Sequence, residues 1–115
     1  MKEFMLIMKG NYNAWNSISA DEKQRIMEKY HAYVNRLKRE SRFKGGSALK
    51  LGGAQLRAEK GIITVDGPFS ETKEALNGYF LFAAENYDEA VAIARECPAL
   101  THGESVEVFE LTTSH

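Results

Sequence analysis

The first hydrophobic positions of the chain form an unbroken run. Residues 4–8 are all apolar, and Lys9 and Gly10 end the run. Apolar residues at successive positions are typical of a strand that is covered on both faces, whereas a strand with one solvated face alternates. Residues 79–84 form a second run of the same kind. The pattern therefore predicts two central strands with both faces covered.

Two segments have the apolar spacing of amphipathic helices. The first begins at Ser19, which forms a capping box with Glu22 three residues later. Its apolar face consists of Ile26, Met27, Tyr30, Tyr33, Val34 and Leu37. The second begins at Asn86, a typical N-cap, and its buried face consists of Ala90, Ile93, Ala94 and Cys97, followed by Pro98. Spacings of three and four residues place each set on one helix face.

The segment between the first helix and the second apolar run is rich in glycine. Short strands are predicted at residues 48–51, 55–57 and 62–65. Glu59-Lys60-Gly61 predicts a tight turn, so residues 54–66 are expected to form a small ribbon. A last strand is predicted around Val106, Val108 and Leu111, with Phe109 on its other side.

The predicted order is β-α-β-ribbon-β-α-β within residues 1–115, which we interpret as a single domain. It is typical of an α+β, ferredoxin-like βαββαβ fold with a four-stranded antiparallel sheet and a small β-ribbon insertion. Two helices cover one face of such a sheet, yet the central strands are apolar on both faces. We therefore expect a second copy of the chain to cover the other face as a homodimer. An exposed ligand platform is the alternative.

Charge and cysteine content narrow the function classes. The chain has 15 basic and 16 acidic residues, a formal net charge of −1, which gives no electrostatic case for binding nucleic acid. Cys97 is the only cysteine, so no intramolecular disulfide can form, as suits a reducing compartment. The apolar start is too short for a signal peptide or a membrane span. We expect a cytoplasmic protein with no membrane attachment.

Residues 66–74 combine Asp66, Glu71, Lys73 and Glu74 with a Gly-Pro pair between two predicted strands. One interpretation is a turn, because Asp and Gly-Pro favour bends. The other is a pocket mouth, where Asp66 and the glutamates act as bases and Lys73 neutralises an anionic substrate. Both interpretations stay open at this point.

The same nine residues, Asp-Gly-Pro-Phe-Ser-Glu-Thr-Lys-Glu, resemble the signature of the YCII-related family, in the branch named for its DGPF motif. Further similarity covers nearly the whole chain: the opening strand at residues 4–8, Trp15 with residues 19–22, Gly78-Tyr79-Phe80, and residues 103–108. The resemblance implies a ferredoxin-like fold assembled as a dimeric α/β barrel. It also implies a His–Asp pair in some members, a relative that dehydrochlorinates a chlorinated hydroxyquinol, and an association of DGPF proteins with sigma factors.

Two histidines are candidates for such a pair. His31 lies at the edge of the apolar face of the first helix, and His102 lies in the loop before the last strand. The alternatives are a flanking surface residue for His31 and an ordinary loop residue for His102. The scattered histidines and single cysteine lack metal-ligand spacing, and no phosphate loop or dinucleotide fingerprint is present, so we expect neither metal nor cofactor.

Two hypotheses for function result. In the first, a small enzyme has a pocket between the sheet and the first helix, where Trp15, Tyr30 and Tyr79 hold a cyclic substrate. Asp66 with His31 or His102 then moves protons, as in lyase or dehydrohalogenase chemistry, and Glu71 and Lys73 contact the substrate. In the second, the chain is a non-catalytic module that binds a small molecule or a transcription factor such as a sigma factor.

Overall fold

Strands and helices alternate along the chain in a computed structural model, which describes residues 1–50, 52–67 and 75–112. The side chains of residues 12 and 13 are also outside this description. In chain order the elements are β1 (Lys2–Gly10), α1 (Tyr12–Ser17), α2 (Ala20–Arg39), β2 (Phe43–Ala48), β3 (Gln55–Glu59), β4 (Ile62–Asp66), β5 (Ala75–Ala84), α3 (Tyr87–Ala94), a 3₁₀ helix (Pro98–Thr101) and β6 (Ser105–Glu110).

The main sheet of the described residues has four strands in the order β2-β5-β1-β6, and all neighbours are antiparallel. The two strands with continuous apolar runs, β1 and β5, are therefore the central pair. This order, with α2 and α3 as the crossover helices, is the ferredoxin-like arrangement. The predicted α+β fold is confirmed.

Helices α2 and α3 begin where their caps were predicted. The Glu22 amide donates to the Ser19 hydroxyl oxygen at 3.1 Å, and the Glu89 amide donates to Asn86 Oδ1 at 2.9 Å. Tyr33 on α2 donates its hydroxyl hydrogen to the Ile93 carbonyl at 2.7 Å. This buried bond connects the two helices above the sheet.

The core lies between these helices and one face of the central strands. Phe4 and Leu6 of β1 and Phe82 of β5 are fully or almost fully buried there. Phe4 is paired with Phe82 across the strands, and their rings stack with centroids 5.9 Å apart. Leu37 and Ile93 close the core from the helix side.

The opposite face of the sheet is also apolar. The register aligns Met5 with Leu81 and Phe109, and Ile7 with Tyr79. Because side chains alternate along a strand, these five share the face that points away from the helices. They are only partly buried, and Phe109 is 49% exposed. We call this group the open face.

The glycine-rich segment differs from the prediction in one strand. The edge strand covers Phe43–Ala48, not residues 48–51, and it pairs with β5 through Gly45 and Gly46. Glycine and polar residues give this strand no apolar alternation, so its position depends on its partner rather than on its own pattern. The six-residue helix α1 was not predicted either, since so short a helix has no measurable periodicity.

The predicted ribbon is confirmed as a two-stranded hairpin of β3 and β4, separate from the main sheet. Lys60 and Gly61 both have positive φ, at 51° and 80°, as a type I′ turn requires. Leu56 pairs with Val65 and Ala58 with Ile63, so these four side chains form one apolar face of the hairpin. Its large members are more than 60% exposed.

Cys97 is buried beyond the end of α3, as expected of a small hydrophobic residue. Burial, with a smaller contribution from the charge of Glu104, raises the pKa of its thiol to about 11. An unfolded thiol titrates near pH 8.5. Between these two values the unfolded chain loses a proton that the folded chain keeps, so stability falls as pH rises.

We expect Cys97→Ala to reduce the alkaline loss of stability. Urea unfolding between pH 8.5 and 11 should show a slope smaller by up to about 1.4 kcal/mol per pH unit in the variant. Below pH 8 the slopes should coincide. Equal slopes above pH 9 would contradict the burial of a neutral thiol. Tyr33 remains in both proteins, and burial also raises the pKa of its phenol, so some alkaline destabilisation persists.

Candidate functional site

A cleft of about 780 Å³ lies between α2 and the β2 edge of the main sheet, on the helix side. Its walls are mostly apolar and aromatic, and its polar groups come from α2, β5, the end of β2 with the segment after it, and the loop before β6. The aromatic lining residues are Trp15, Tyr30, Phe43 and Phe80. The titratable and amide side chains in the lining are His31, Asn35, Lys38, Lys50, Asn77, His102 and Glu104.

Glu104 and His102 form the only histidine–carboxylate contact within the described residues. His102 Nε2 lies in direct contact with Glu104 Oε2. Asn77 Nδ2 donates to the other oxygen, Glu104 Oε1, at 2.6 Å. Both oxygens are thus held, and the His102 and Glu104 side chains are only 14% and 13% exposed. We call these three residues the His102 cluster.

Two glycines allow this arrangement. Gly103 has φ +86°, a left-handed conformation that costs other residues strain, and it turns the chain so that His102 and Glu104 meet. Gly10 ends β1 beside the cluster. A Cβ on Gly10 would lie 2.5 Å from Glu104 Cγ and 3.2 Å from Asn77 Nδ2, so only glycine leaves room for both side chains.

The contact determines which imidazole nitrogen can act as a base. A carboxylate can only accept a hydrogen bond, so His102 Nε2 carries the proton that faces Glu104. In the neutral imidazole the lone pair then lies on Nδ1. That atom is buried and has no hydrogen-bond partner among the described residues. His102 lines the cleft, so Nδ1 is the ring atom that a proton-accepting role would use.

Aromatic rings surround His102. The ring centroid of Trp15 lies 6.1 Å from that of His102, and the ring centroid of Tyr30 lies 6.3 Å from it. Burial raises the pKa of the Tyr30 phenol above its ordinary value, and the charges of Cys97 and Glu104 add to the effect. Tyr30 therefore stays a neutral phenol, and its hydroxyl contacts Met8 Sδ at 3.6 Å.

Several predicted site residues line the cleft. Trp15, Tyr30, His31 and His102 are all found there. His31 is exposed and lies at the outer part of α2, whereas His102 is largely buried. The structure therefore separates the two candidate histidines, and it is His102 that has a carboxylate partner.

Asp66 and Tyr79 are placed elsewhere. Asp66 ends β4 on the exposed hairpin, and its carboxylate pairs with Arg57 at 3.0 Å. Because the hairpin leaves the main sheet, the structure does not bring Asp66 to His31 or His102. Tyr79 lies on the open face, since its neighbour Phe80 takes the cleft side of β5.

Glu71 and Lys73 lie outside the described residues, together with most of the segment 66–74 that suggested a pocket mouth. Their roles stay predictions.

Sequence reasoning missed Glu104 and Asn77. A signal for Glu104 was present in His102-Gly103-Glu104, where a glycine between two titratable residues permits the turn that joins them. Asn77 had no such signal, because its bond to Glu104 spans 27 positions and depends on how β1 and its neighbours are aligned.

The comparison with known families identifies the domain. The model of the YCII-related domain matches residues 3–112 of the chain. The chain belongs to the YCII-related family. The match includes the main sheet except its first residue, Lys2, and it includes the His102 cluster, so the cleft is part of the YCII-related domain itself. The predicted family is confirmed, and its DGPF branch stays a prediction.

A relative from Rhizobium meliloti (strain 1021) is 48% identical over 44 residues. The similar stretch covers 37% of this chain and 36% of the relative, whose name, an uncharacterized protein, assigns no activity.

Two further findings on the described residues concern membrane-spanning helices and metal sites. No helix among them is both long and apolar enough to cross a membrane. No group of three or more His, Cys, Asp or Glu side chains in the described part of the chain is arranged to hold a metal ion.

Proposed function

We propose that this YCII-related protein is a small enzyme that performs acid–base chemistry on a cyclic substrate in the cleft. The observation that carries the proposal is the contact of His102 with Glu104, with Nδ1 left without a partner in an aromatic pocket. A buried histidine oriented by a carboxylate is a common arrangement for proton transfer near neutral pH.

Each member of the His102 cluster has a role in this proposal. His102 Nδ1 takes a proton from the substrate. Glu104 stabilises the imidazolium that results and holds the ring in one tautomer, in the way that an aspartate does in a catalytic triad. Asn77 fixes the Glu104 carboxylate through its 2.6 Å hydrogen bond. Trp15 and Tyr30 hold the substrate ring beside His102.

A dehydrohalogenation shows where the proton, the electron pairs and the leaving group go in such a reaction. His102 removes a proton from carbon, the electrons of the C–H bond form a new C=C bond, and the halide leaves with the electron pair of its bond to carbon. The proton on His102 then passes to water. The same first step serves other lyase reactions and proton shifts next to a carbonyl.

We expect His102→Asn to lower kcat by about 10²–10⁴-fold, because it removes the base and keeps a polar side chain. Glu104→Gln should cause a smaller loss, since the imidazole remains. Turnover can be screened on chlorinated and hydroxylated cyclic compounds, with release of chloride and protons as the readout. Asp66→Asn is the matched control, because it makes the same carboxylate-to-amide change on the exposed hairpin.

Two outcomes would contradict this role. If His102→Asn retains full turnover, His102 is not the base. If His31→Asn removes turnover and His102→Asn does not, the role belongs to the exposed histidine instead.

A binding module without catalysis is the second candidate. The exposed apolar face of the β3–β4 hairpin favours it, because hydrophobic patches on the surface often mark sites for partner proteins. A transcription factor such as a sigma factor is the partner that the family resemblance suggests. Ligands that bind the cleft without being turned over by any variant would favour this candidate.

A homodimer is part of the proposal as well. The open face is apolar across β5 and β1 and at Phe109 of β6, whereas Glu107 of β6, aligned with Ile7, is charged. The cleft lies on the opposite side of the sheet. A second copy on the open face would therefore cover the exposed apolar residues and leave both clefts accessible.

A further inference from the structure

The charges around the cleft are unbalanced. Lys38 and Lys50 are the cationic side chains that line it within the described residues, and Glu104 is the acidic one. Both oxygens of Glu104 are already engaged by His102 and Asn77. The chain as a whole is close to neutral, with 15 basic and 16 acidic residues. The charged side chains that line the cleft are therefore positive on balance, whereas the net charge of the whole chain is −1.

The cationic groups of the cleft have no carboxylate partner within the described residues. Within the part of the chain that the structure describes, Lys38 and Lys50 make no ion pair with a carboxylate. Arg36 and Arg42, which lie close to Lys38 in the chain, are both paired with glutamates. An anion in the cleft would thus not have to displace any of the described carboxylates from either lysine.

The two lysines lie at opposite ends of the cleft. Lys50 follows Leu49, whose amide donates to the Asn77 carbonyl at 2.9 Å, so Lys50 is at the end that holds the His102 cluster. Lys38 is eight residues beyond Tyr30 on α2, about 12 Å along the helix axis. Its ammonium lies 5.5 Å from the centre of the Phe43 ring.

We propose that the cleft selects an aromatic or other planar cyclic acid, whose acidic oxygen binds Lys50 next to His102. This inference rests on the proposed function and names its substrate class. A cation at this position also favours proton removal by His102, because charge that develops on the substrate oxygen is attracted to the ammonium. Lys38 contributes attraction from the far end of the cleft.

Ligand binding can be measured through Trp15, the single tryptophan, which lines the cleft beside His102. Benzoate and benzamide are suitable probes, because they have nearly the same shape and differ in charge. We expect benzoate to change the Trp15 fluorescence with an affinity at least about tenfold higher than that of benzamide. Its affinity should fall with added salt, since partly exposed charges are screened.

Three variants test the assignment to Lys50. Lys50→Gln should weaken benzoate binding by about tenfold, which corresponds to about 1.4 kcal/mol. Lys38→Gln should weaken it by about threefold, and benzamide binding should not change in either variant. Lys44→Gln is the matched control, because Lys44 is an exposed lysine on β2 that does not line the cleft.

The possible results separate the two proposals. Equal binding of benzoate and benzamide, or no binding of benzoate at millimolar concentration, would overturn the selection of acids. A larger loss in Lys38→Gln than in Lys50→Gln would overturn the position given to the acidic oxygen. Neither result bears on the loss of turnover in His102→Asn, which tests the acid–base function with other compounds.

Discussion

Phe82→Ala should lower the free energy of unfolding by about 3–5 kcal/mol, as expected when a large aromatic side chain is removed from a packed core. Phe82 is 1% exposed and lies on the central strand β5. Its ring stacks on Phe4, and β2 pairs with it through Phe43. The cavity would therefore open between two strands and beneath both helices, where the surrounding backbone is held by the sheet and cannot collapse.

Urea unfolding followed by circular dichroism measures this change. The protein concentration must be held constant, because dissociation of the proposed dimer would contribute to apparent stability. Leu56→Ala is the control: Leu56 is apolar but 62% exposed on the hairpin, so its loss should stay below about 1 kcal/mol. A loss of less than about 1 kcal/mol for Phe82→Ala would contradict the position of the core.

Leu81→Lys should convert the proposed dimer into monomers. Leu81 lies on the β5 side of the open face, between Met5 and the edge strand β2. A two-fold axis would place two buried lysines in one interface, each at a cost of at least about 2 kcal/mol, so the dissociation constant should rise by roughly 10³-fold.

Sedimentation equilibrium at micromolar concentration measures the effect. Val91→Lys is the matched control, because it makes a similar change from an apolar to a charged residue on the exposed side of α3, away from the open face. The Val91→Lys variant should remain as dimeric as the native chain. A native chain that sediments as a monomer at this concentration would overturn the proposed covering of the open face.

Local signals in the sequence were sufficient to predict much of the fold. The caps at Ser19 and Asn86 and the turn at Lys60-Gly61 involve residues only a few positions apart, so their patterns predict them directly. The continuous apolar runs likewise predicted β1 and β5. The edge strand β2 could not be predicted in this way, because its pairing with β5 determines where it lies.

The candidate site could be predicted only in part, for a related reason. Aromatic residues and histidine are noticeable in a sequence, and Trp15, Tyr30 and His102 were found by that means. The acidic partner was assigned to Asp66 because that residue lies in a conspicuous motif. The pairing with Glu104 depends on the left-handed turn at Gly103 and on the space beside Gly10, which are properties of the folded chain.

Gly10 has no side chain, and the Glu104 side chain lies where one would be. The end of β1 is thereby linked to the chemistry of the cleft. Any side chain at this position would meet the Glu104 stem before it met anything else. The strand end and the loop around residue 104 are thus one unit for protein engineering. A cleft transplanted from one YCII-related protein into another would have to carry the last residue of its first strand with it, although that residue is not among those that line the cleft.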